Sequence, residues 1–345
     1  MAKKRVNLAL QGGGAHGAFT WGVLDRLLHE DDIEIAAISG TSAGALNGAA
    51  LKSGMVEGGA PEARARLDWL WQEVGAQPHL QLPQWMEPLS LSSVSKALEM
   101  SPGFLAADAW SRVVSPYAYG PLYQNPLKPI VSQFNFDNLC ADKDKGPCLF
   151  VCATKVRSGK IKVFKDSEIT TDVILASACL PTMFKAVSIT DPETGMNEDY
   201  WDGGYTGNPA LFPLFTDSLP EDILIVNINP LERSETPKTG QDIQNRINEI
   251  SFNSSLLREL RAIEFVQRLL ANGTLQRGEM SEVFVHMIAD DALMNELSVA
   301  TKLIPTPYTL ARLKEAGQKA ADDFLSAHKK DLNKRSSVDL VGMFQ

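Results

Sequence analysis

The sequence predicts an α/β fold with a mainly parallel central sheet. Near the amino terminus an apolar strand at 6–10 runs into a glycine-rich loop and then a helix at about 16–30. A second apolar run at 35–38 leads into Gly40-Thr41-Ser42-Ala43-Gly44 and a helical run at 43–51. Two strands joined by a helix favour a right-handed crossover and parallel pairing.

The second strand ends in a Gly-x-Ser-x-Gly pattern, in which Ser42 lies between Gly40 and Gly44. Between a strand and a helix, this pattern is typical of a nucleophile elbow, a sharp turn that lifts the serine hydroxyl above the sheet. Larger side chains at the two glycines would clash with the strand or helix beside the turn. The first N–H groups of the following helix favour a developing oxyanion. We therefore predict that Ser42 is a nucleophile.

Three further motifs accompany the elbow. Gln11-Gly12-Gly13-Gly14-Ala15-His16-Gly17 follows the first strand, and Asp202-Gly203-Gly204 lies much later. Between them an Ala-Ser-x-x-x-Pro-x-x-Phe segment runs from Ala176 to Phe184. These motifs, in this order, resemble the patatin-like phospholipase family over roughly residues 5–230.

The resemblance implies a three-layer α/β/α fold and an acyl-ester hydrolase with a Ser–Asp dyad. Ser42 would be the nucleophile and Asp202 its base. The oxyanion loop would consist of Gly12, Gly13, Gly14 and Ala15. The glycines that support the motifs would be Gly17, Gly40, Gly44, Gly203 and Gly204. No cofactor and no metal is implied.

The substrate class follows from the same resemblance. We expect release of fatty acid from phospholipids or other lipid esters, with at most a transient contact with a membrane surface. A short-chain carboxylesterase or a polyester depolymerase on the same fold is the alternative. The sequence predicts neither the head group nor the chain length, and it gives no oligomeric state.

Residues 78–136 differ in composition from their surroundings. They hold eight of the nineteen prolines of the chain and many aromatic residues, Trp85 and Phe104 among them. No clean helical or strand period runs through them. We interpret them as an irregular insertion packed on the core, with an acyl-pocket wall or interfacial lid as the functional alternative.

Regular elements resume after this insertion. The predicted elements are strands at 148–156 and 160–164 joined as a hairpin, a helix at about 168–178, a buried strand at 222–228, a helix at 241–271, a strand at 282–288 and a helix at 309–327. The tail at 329–345 is expected to be poorly ordered or loosely docked. We predict one domain over residues 1–328.

Composition limits the class of partner. The chain has 345 residues, 44% of them apolar, which suffices for a sizeable core. Its net charge of −9 argues against nucleic acid and gives no polybasic attraction to anionic lipid. The four cysteines lack Cys-x-x-Cys spacing, so zinc is not expected. Without a signal-peptide or membrane-spanning run, a cytoplasmic location is predicted.

Two other functions are compatible with parts of the sequence. Gly12-x-Gly14-x-x-Gly17 resembles a dinucleotide fingerprint, but that site needs an acidic residue at the end of the second strand, where this chain has the elbow. A non-catalytic lipid- or partner-binding module is disfavoured because both Ser42 and Asp202 are intact.

The histidines decide between a dyad and a triad. His16 lies in the oxyanion loop, where the family usually has Lys or Arg, so the sequence leaves open what positions this loop. His286 is mid-strand and is interpreted as a satisfied core residue, and His328 as a solvated one. No histidine motif follows Asp202, which favours the dyad.

Overall fold

The computed structural model describes most of the chain. The described residues are 3–76, 90–134, 136, 146–191, 194–233, 235–276 and 278–344. Trp85, His79 and Cys140 lie outside them.

One eight-stranded sheet organises these residues. Its strands, numbered in chain order, are β1 (Lys4–Leu10), β2 (Ile33–Thr41), β3 (Cys148–Lys155), β4 (Ile161–Lys165), β5 (Val187–Thr190), β6 (Asn197–Asp202), β7 (Asp222–Asn227) and β8 (Phe284–Ala289). The spatial order is β5-β6-β3-β2-β1-β7-β8, and β4 also pairs with β3. Strands β3, β2, β1, β7 and β8 are mutually parallel, whereas β4, β5 and β6 pair antiparallel. The predicted, mainly parallel sheet is confirmed.

Helices cover both faces of the sheet. In the described residues they are α1 (Gly17–Leu27), α2 (Ala43–Gly58), α3 (Ala60–Gly75), α4 (Leu91–Glu99), α5 (Pro102–Val113), α6 (Lys128–Val131), α7 (Thr171–Ser177), α8 (Gly240–Ala271), α9 (Asp291–Glu296), α10 (Val299–Leu303), α11 (Pro307–His328) and α12 (Leu340–Met343). Short 3-10 turns stand at Gly14–His16 and Pro116–Leu122.

The alternation of side chains along β1 separates two cores. Leu8 and Leu10 pack in one core with α1, α2, α3, α7 and α11. Ala9 faces the other side and packs in a second core with α8 and α12. Successive strand residues point to opposite faces, so this division follows from the pleat. The result is three layers, as the resemblance implies.

Within residues 78–136 the structure describes three short helices, α4, α5 and α6, with irregular segments between them, so the predicted irregular insertion is partly helical. Helix α4 begins after Ser90 and α5 after Ser101, and each serine hydroxyl accepts a hydrogen bond from a backbone N–H in the first turn. Such caps stabilise short helices and mark their starts. Helix α5 buries only one of its described side chains, Phe104.

Helix α8 has the predicted extent, and its buried apolar residues lie in its second half. Leu256, Leu260 and Ile263 are buried against the sheet. Three apolar residues of its first half, Ile243, Ile247 and Ile250, are exposed at 43%, 53% and 55%. No helix within the described residues has the length and hydropathy needed to cross a bilayer.

The carboxy-terminal segment is docked, contrary to the expectation for residues 329–345. Leu332 and Leu340 are buried. Asn333 donates its backbone N–H and its side-chain amide to the two carboxylate oxygens of Asp222, and Ser336 and Ser337 bond β8. The sequence did not predict these contacts, because a charged tail is normally solvated. Here its polar groups pair with the edge of the sheet.

Candidate active site

Ser42 occupies the turn between β2 and α2 in a rarely populated backbone conformation. Its φ is 54° and its ψ is −119°, which is unusual for a residue with a Cβ and costs about 1–3 kcal/mol. The Ser42 N–H donates to the Ser177 hydroxyl at 2.9 Å, and Ser177 donates to the carbonyl of Cys152 at 2.6 Å. These bonds hold the turn in place, so the Ser177 of the Ala-Ser segment supports the elbow.

Close packing explains the glycines around Ser42. A Cβ on Gly44 would lie 2.1 Å from the carbonyl oxygen of Leu10, and one on Gly12 would lie 2.7 Å from the Cβ of Ser42. Neither distance is tolerable. An added Cβ would also lie too close to neighbouring atoms at the remaining glycines of the motifs, which are Gly17, Gly40, Gly203 and Gly204.

Strand register brings Asp202 to Ser42. Cys152 of β3 pairs with Thr41, the residue before the serine, and the next residue, Ala153, pairs with Asp202. β4 occupies the opposite edge of β3, so β2 and β6 meet end to end along one edge. The elbow and the acid are therefore neighbours although 160 positions separate them.

Asp202 is a buried carboxylate with few stabilising contacts. It is 1% exposed, and its Oδ1 accepts the Gly204 N–H at 2.7 Å. Burial raises the pKa of Asp202 to about 7, opposed by the Gly204 N–H and by a hydrogen bond from the Ser42 side chain. A carboxylate with this pKa, in contact with a serine hydroxyl, has the proton affinity of a general base.

The glycine-rich loop turns beside Ser42 at the 3-10 turn Gly14–His16. Its first two N–H groups, of Gly14 and Ala15, have no partner within such a turn, and the hydrogen bonds of the described residues include none from them. The Gly12 N–H differs, because it donates to Asn208 Oδ1 at 2.6 Å. Gly12 therefore shapes the loop, whereas the N–H groups of Gly13, Gly14 and Ala15 remain as the candidate oxyanion donors.

Sequence reasoning missed the polar side chains that hold this loop. Asn229 donates to the Gly12 carbonyl at 2.8 Å, and Gln11 Oε1 accepts from the N–H groups of Ile228 and Asn229. Lys302 Nζ donates to Asn229 Oδ1 at 3.0 Å, and burial lowers the pKa of Lys302. Neither Asn229 nor Lys302 stands in a local motif, so no sequence signal indicated them.

His16 is buried and neutral. Its Nε2 lies 2.8 Å from the Thr301 hydroxyl, which donates to the Ser298 carbonyl and so accepts the proton of Nε2. Burial, and then the charge of Lys302, hold the pKa of His16 well below its usual range. The family usually has a basic residue inside the loop itself. In this chain the cation near the loop is instead Lys302, from α10.

The other described histidines lie away from Ser42. His286 is fully buried between Asp222 Oδ1, at 2.9 Å from Nε2, and the Ser337 hydroxyl, at 3.0 Å from Nδ1. It is the satisfied core histidine that the sequence predicts. Among the residues that the structure describes, none of the hydrogen bonds to Ser42 or Asp202 comes from a histidine.

An apolar cavity of about 280 Å³ opens at Ser42. Its lining consists of Gly14, Ala15, Ser42, Ala43, Leu46, Trp71, Val74, Pro126, Leu127, Ala178, Leu180, Met183, Phe184, Lys302, Leu303 and Pro305. Pro126 and Leu127 come from the 78–136 stretch, which thus contributes one wall. Phe104 does not line the cavity and packs instead with Val94, Leu98, Ala300 and Ile304.

Comparisons with known proteins agree with this architecture. The family model described as patatin-like phospholipase matches residues 8–215, more than half of the chain. No curated protein matches the sequence.

Three solved structures are similar to the chain at low identity. VipD from Legionella pneumophila is 15% identical with a TM-score of 0.42, over 95% of this chain and 68% of that one. The type III effector ExoU is 16% identical with a TM-score of 0.36, over 94% and 53%. ExoU of Pseudomonas aeruginosa in complex with SpcU is 15% identical with a TM-score of 0.31, over 94% and 54%. The chain spans about half the length of ExoU. On the match of the family model, the chain belongs to the patatin-like phospholipase family.

Proposed function

We propose that the chain is a serine acyl hydrolase that uses Ser42 and Asp202 as a dyad to release fatty acid from lipid esters. Family membership supports a lipid acyl hydrolase in general. The observation that carries the dyad is the contact of a strained elbow serine with a buried carboxylate at the mouth of an apolar cavity.

The reaction starts with attack of Ser42 Oγ on the ester carbonyl, while Asp202 takes the hydroxyl proton. The negative charge on the tetrahedral oxygen is stabilised by the N–H groups of Gly13, Gly14 and Ala15 and by the amino-terminal end of α2. The C–O bond of the alcohol then breaks, and the alcohol leaves with the proton held by Asp202. Water, deprotonated by Asp202, attacks the carbonyl of the acyl-enzyme. The bond to Ser42 Oγ then breaks, the fatty acid leaves, and Asp202 returns the proton to Ser42.

The cavity supports a fatty acyl chain as the group bound beside the serine. Trp71, Leu46, Met183 and Phe184 offer apolar contact, and each buried methylene contributes about 0.8 kcal/mol. A longer chain should therefore bind more tightly until the cavity is filled. The alternative substrates, short-chain esters and polyesters, would gain less from this surface.

A substrate panel tests the proposal. Phospholipids, glycerides and nitrophenyl esters of graded chain length are incubated with the wild-type protein and with Ser42→Ala as the inactive control. We expect hydrolysis that rises with chain length and is lost in Ser42→Ala. Activity that persists in Ser42→Ala, or tight NAD binding without hydrolysis, would contradict the proposal and favour a different site or a dinucleotide-binding protein.

A further inference from the structure

Helix α5 exposes its apolar side to solvent and turns its more polar side towards the protein. At helical spacing, Leu105, Ala106, Ala109, Trp110 and Val113 lie on one side, and Asp108 and Ser111 lie on the other with Phe104. Phe104 is buried, and the apolar side faces outwards, with Leu105 at 47%, Trp110 at 57% and Val113 at 84% exposure. A surface helix of a globular protein normally presents the opposite arrangement.

The exposed apolar surface continues beyond the helix. Met100 precedes α5 and is 76% exposed, and Tyr117 and Tyr119 follow it at 59% and 48%. Trp110 Nε1 donates to the Tyr119 hydroxyl at 3.0 Å, which joins the helix to the Pro116–Leu122 turn. Exposed apolar side chains that lie together on one surface, as these do, mark an interaction site.

This surface is attached to the rim of the active-site cavity. The Tyr117 hydroxyl accepts the Ala186 N–H at 3.1 Å, and the Tyr123 hydroxyl accepts the Lys185 N–H at 3.2 Å. Met183 and Phe184, just before these two residues, line the cavity that opens at Ser42. The Pro116–Leu122 turn therefore links the exposed apolar surface to the segment that lines the cavity.

Charge and side-chain type favour a lipid surface as that partner. Residues 100–134 carry only Asp108, Arg112 and Lys128 as charged groups, in a chain whose net charge is −9. Trp and Tyr side chains, each apolar with one polar tip, are suited to the boundary between head groups and acyl chains. The absence of a basic cluster in these residues indicates that apolar burial, not attraction to anionic lipid, drives the contact.

We propose that α5 and the Pro116–Leu122 turn insert into a phospholipid bilayer and dock the cavity mouth on it. The proposal rests on the proposed hydrolysis of lipid esters, since that reaction makes the bilayer the source of substrate. Exposed apolar side chains would bury themselves among the acyl chains, and Lys185, which lies 4.9 Å from the Tyr123 ring, would stay at the level of the head groups.

Vesicle binding by variants in a Ser42→Ala background tests this proposal without hydrolysis. The vesicles are phosphatidylcholine, with and without brominated acyl chains. We expect Val113→Glu to weaken binding at least tenfold, and the control Phe265→Glu, at an exposed apolar residue of α8, to bind within twofold of the parent. Brominated chains should quench the fluorescence of the parent protein more than that of Trp110→Phe. Binding should change little with salt.

Activity measurements separate this proposal from the proposed function. In the protein with Ser42 intact, Val113→Glu should lower hydrolysis of vesicle lipid at least tenfold and leave hydrolysis of a monomeric nitrophenyl butyrate within twofold. If no ester is hydrolysed but vesicle binding depends on Val113, the docking surface stands and the catalytic proposal fails. Unchanged vesicle binding by Val113→Glu would overturn the docking surface. The docking surface would also be overturned if the parent protein were a dimer that Val113→Glu converts to a monomer, because a second copy of the chain would then cover α5.

Discussion

At the scale of single residues, the site depends on how burial changes the chemistry of a few polar groups. Asp202, Lys302 and His16 are titratable, and each has a pKa shifted towards its neutral form by burial. The shift makes Asp202 a stronger base, as the proposed dyad requires, and it makes His16 a weaker one.

The pH dependence of turnover follows from Asp202. Its pKa of about 7 means that the carboxyl is protonated below pH 7 and cannot accept the proton of Ser42. We expect kcat/KM to rise about tenfold per pH unit up to about pH 7 and then to level off. Glu259 also has a pKa raised to about 7, by burial, so Glu259→Gln is the control and should retain the profile. A profile that follows Glu259, or that is flat from pH 5 to 8, would contradict the assignment.

The free energy of unfolding should also depend on Asp202, but it should fall as pH rises, whereas turnover should rise. The folded chain holds the Asp202 proton more tightly than the unfolded chain does, so ionisation of this residue lowers stability as pH rises from about 4 to about 7. Asp202→Asn removes that cost, and Asn can still accept the Gly204 N–H. Thermal melting should show a gain for Asp202→Asn that is larger at pH 8 than at pH 4. An equal change at both pH values would indicate a packing effect instead.

Lys302 is proposed to position the glycine-rich loop through Asn229. Lys302→Met keeps the length of the stem and removes the bond to Asn229 Oδ1, so Asn229 should hold the Gly12 carbonyl less firmly. We expect kcat to fall by on the order of tenfold with little change in KM, less than the hundredfold typical of a lost oxyanion donor. The control is Lys314→Met, which removes the salt bridge from Lys314 to Asp68. It should change the free energy of unfolding but not kcat. An unchanged kcat in Lys302→Met would refute the positioning role.

At the scale of elements, the ends of β2, β6 and β7 and the amino terminus of α2 converge on the loop after β1. Helix α10 completes this arrangement, because its Lys302 carbonyl lies 2.4 Å from the position of a Cβ on Gly14. Gly14 has a φ of 59°, which also favours glycine. The loop therefore has little freedom to accept a larger residue.

Gly14→Ala tests the geometry of this loop. The new methyl group would collide with α10 and displace the N–H groups of Gly14 and Ala15, so turnover should fall on the order of a hundredfold. Gly103→Ala, at a position with no atom within 4 Å of the added Cβ, is the matched control and should keep full turnover. Equal turnover in both variants would show that the loop does not supply the oxyanion donors.

The docking of the carboxy-terminal segment depends on Asp222. This buried carboxylate accepts from His286 and from Asn333, and Asp222→Ala would leave these donors unpaired. We expect a loss of about 3–5 kcal/mol in the free energy of unfolding, measured in urea. Ser337→Ala, which removes one neutral hydrogen bond to His286, should cost about 1 kcal/mol. Equal losses in the two variants would contradict the central role of Asp222.

At the scale of the whole molecule, local patterns predicted the features that neighbouring residues determine. Strand–turn–helix motifs indicated the parallel sheet and the elbow, because apolar runs and small residues are visible in a short window. Asn208, Asn229 and Lys302 were not predicted, since closure of the sheet brings them to Gly12 and Gly14 from distant positions. Helix α5 was missed for another reason. Its apolar residues recur at helical spacing over only twelve residues, and the prolines and aromatic residues around them interrupt any longer period.

Reaction with a fluorophosphonate probe, followed by peptide mass spectrometry, tests the central claim of a Ser42–Asp202 dyad most directly. The probe modifies a serine in proportion to its activation, without the need to know the natural substrate. The account predicts labelling of the wild-type protein on Ser42, no labelling of Ser42→Ala, labelling of Asp202→Asn slowed at least a hundredfold, and labelling of His286→Gln at nearly the wild-type rate. Labelling of Asp202→Asn at the wild-type rate, or of another serine in Ser42→Ala, would contradict it.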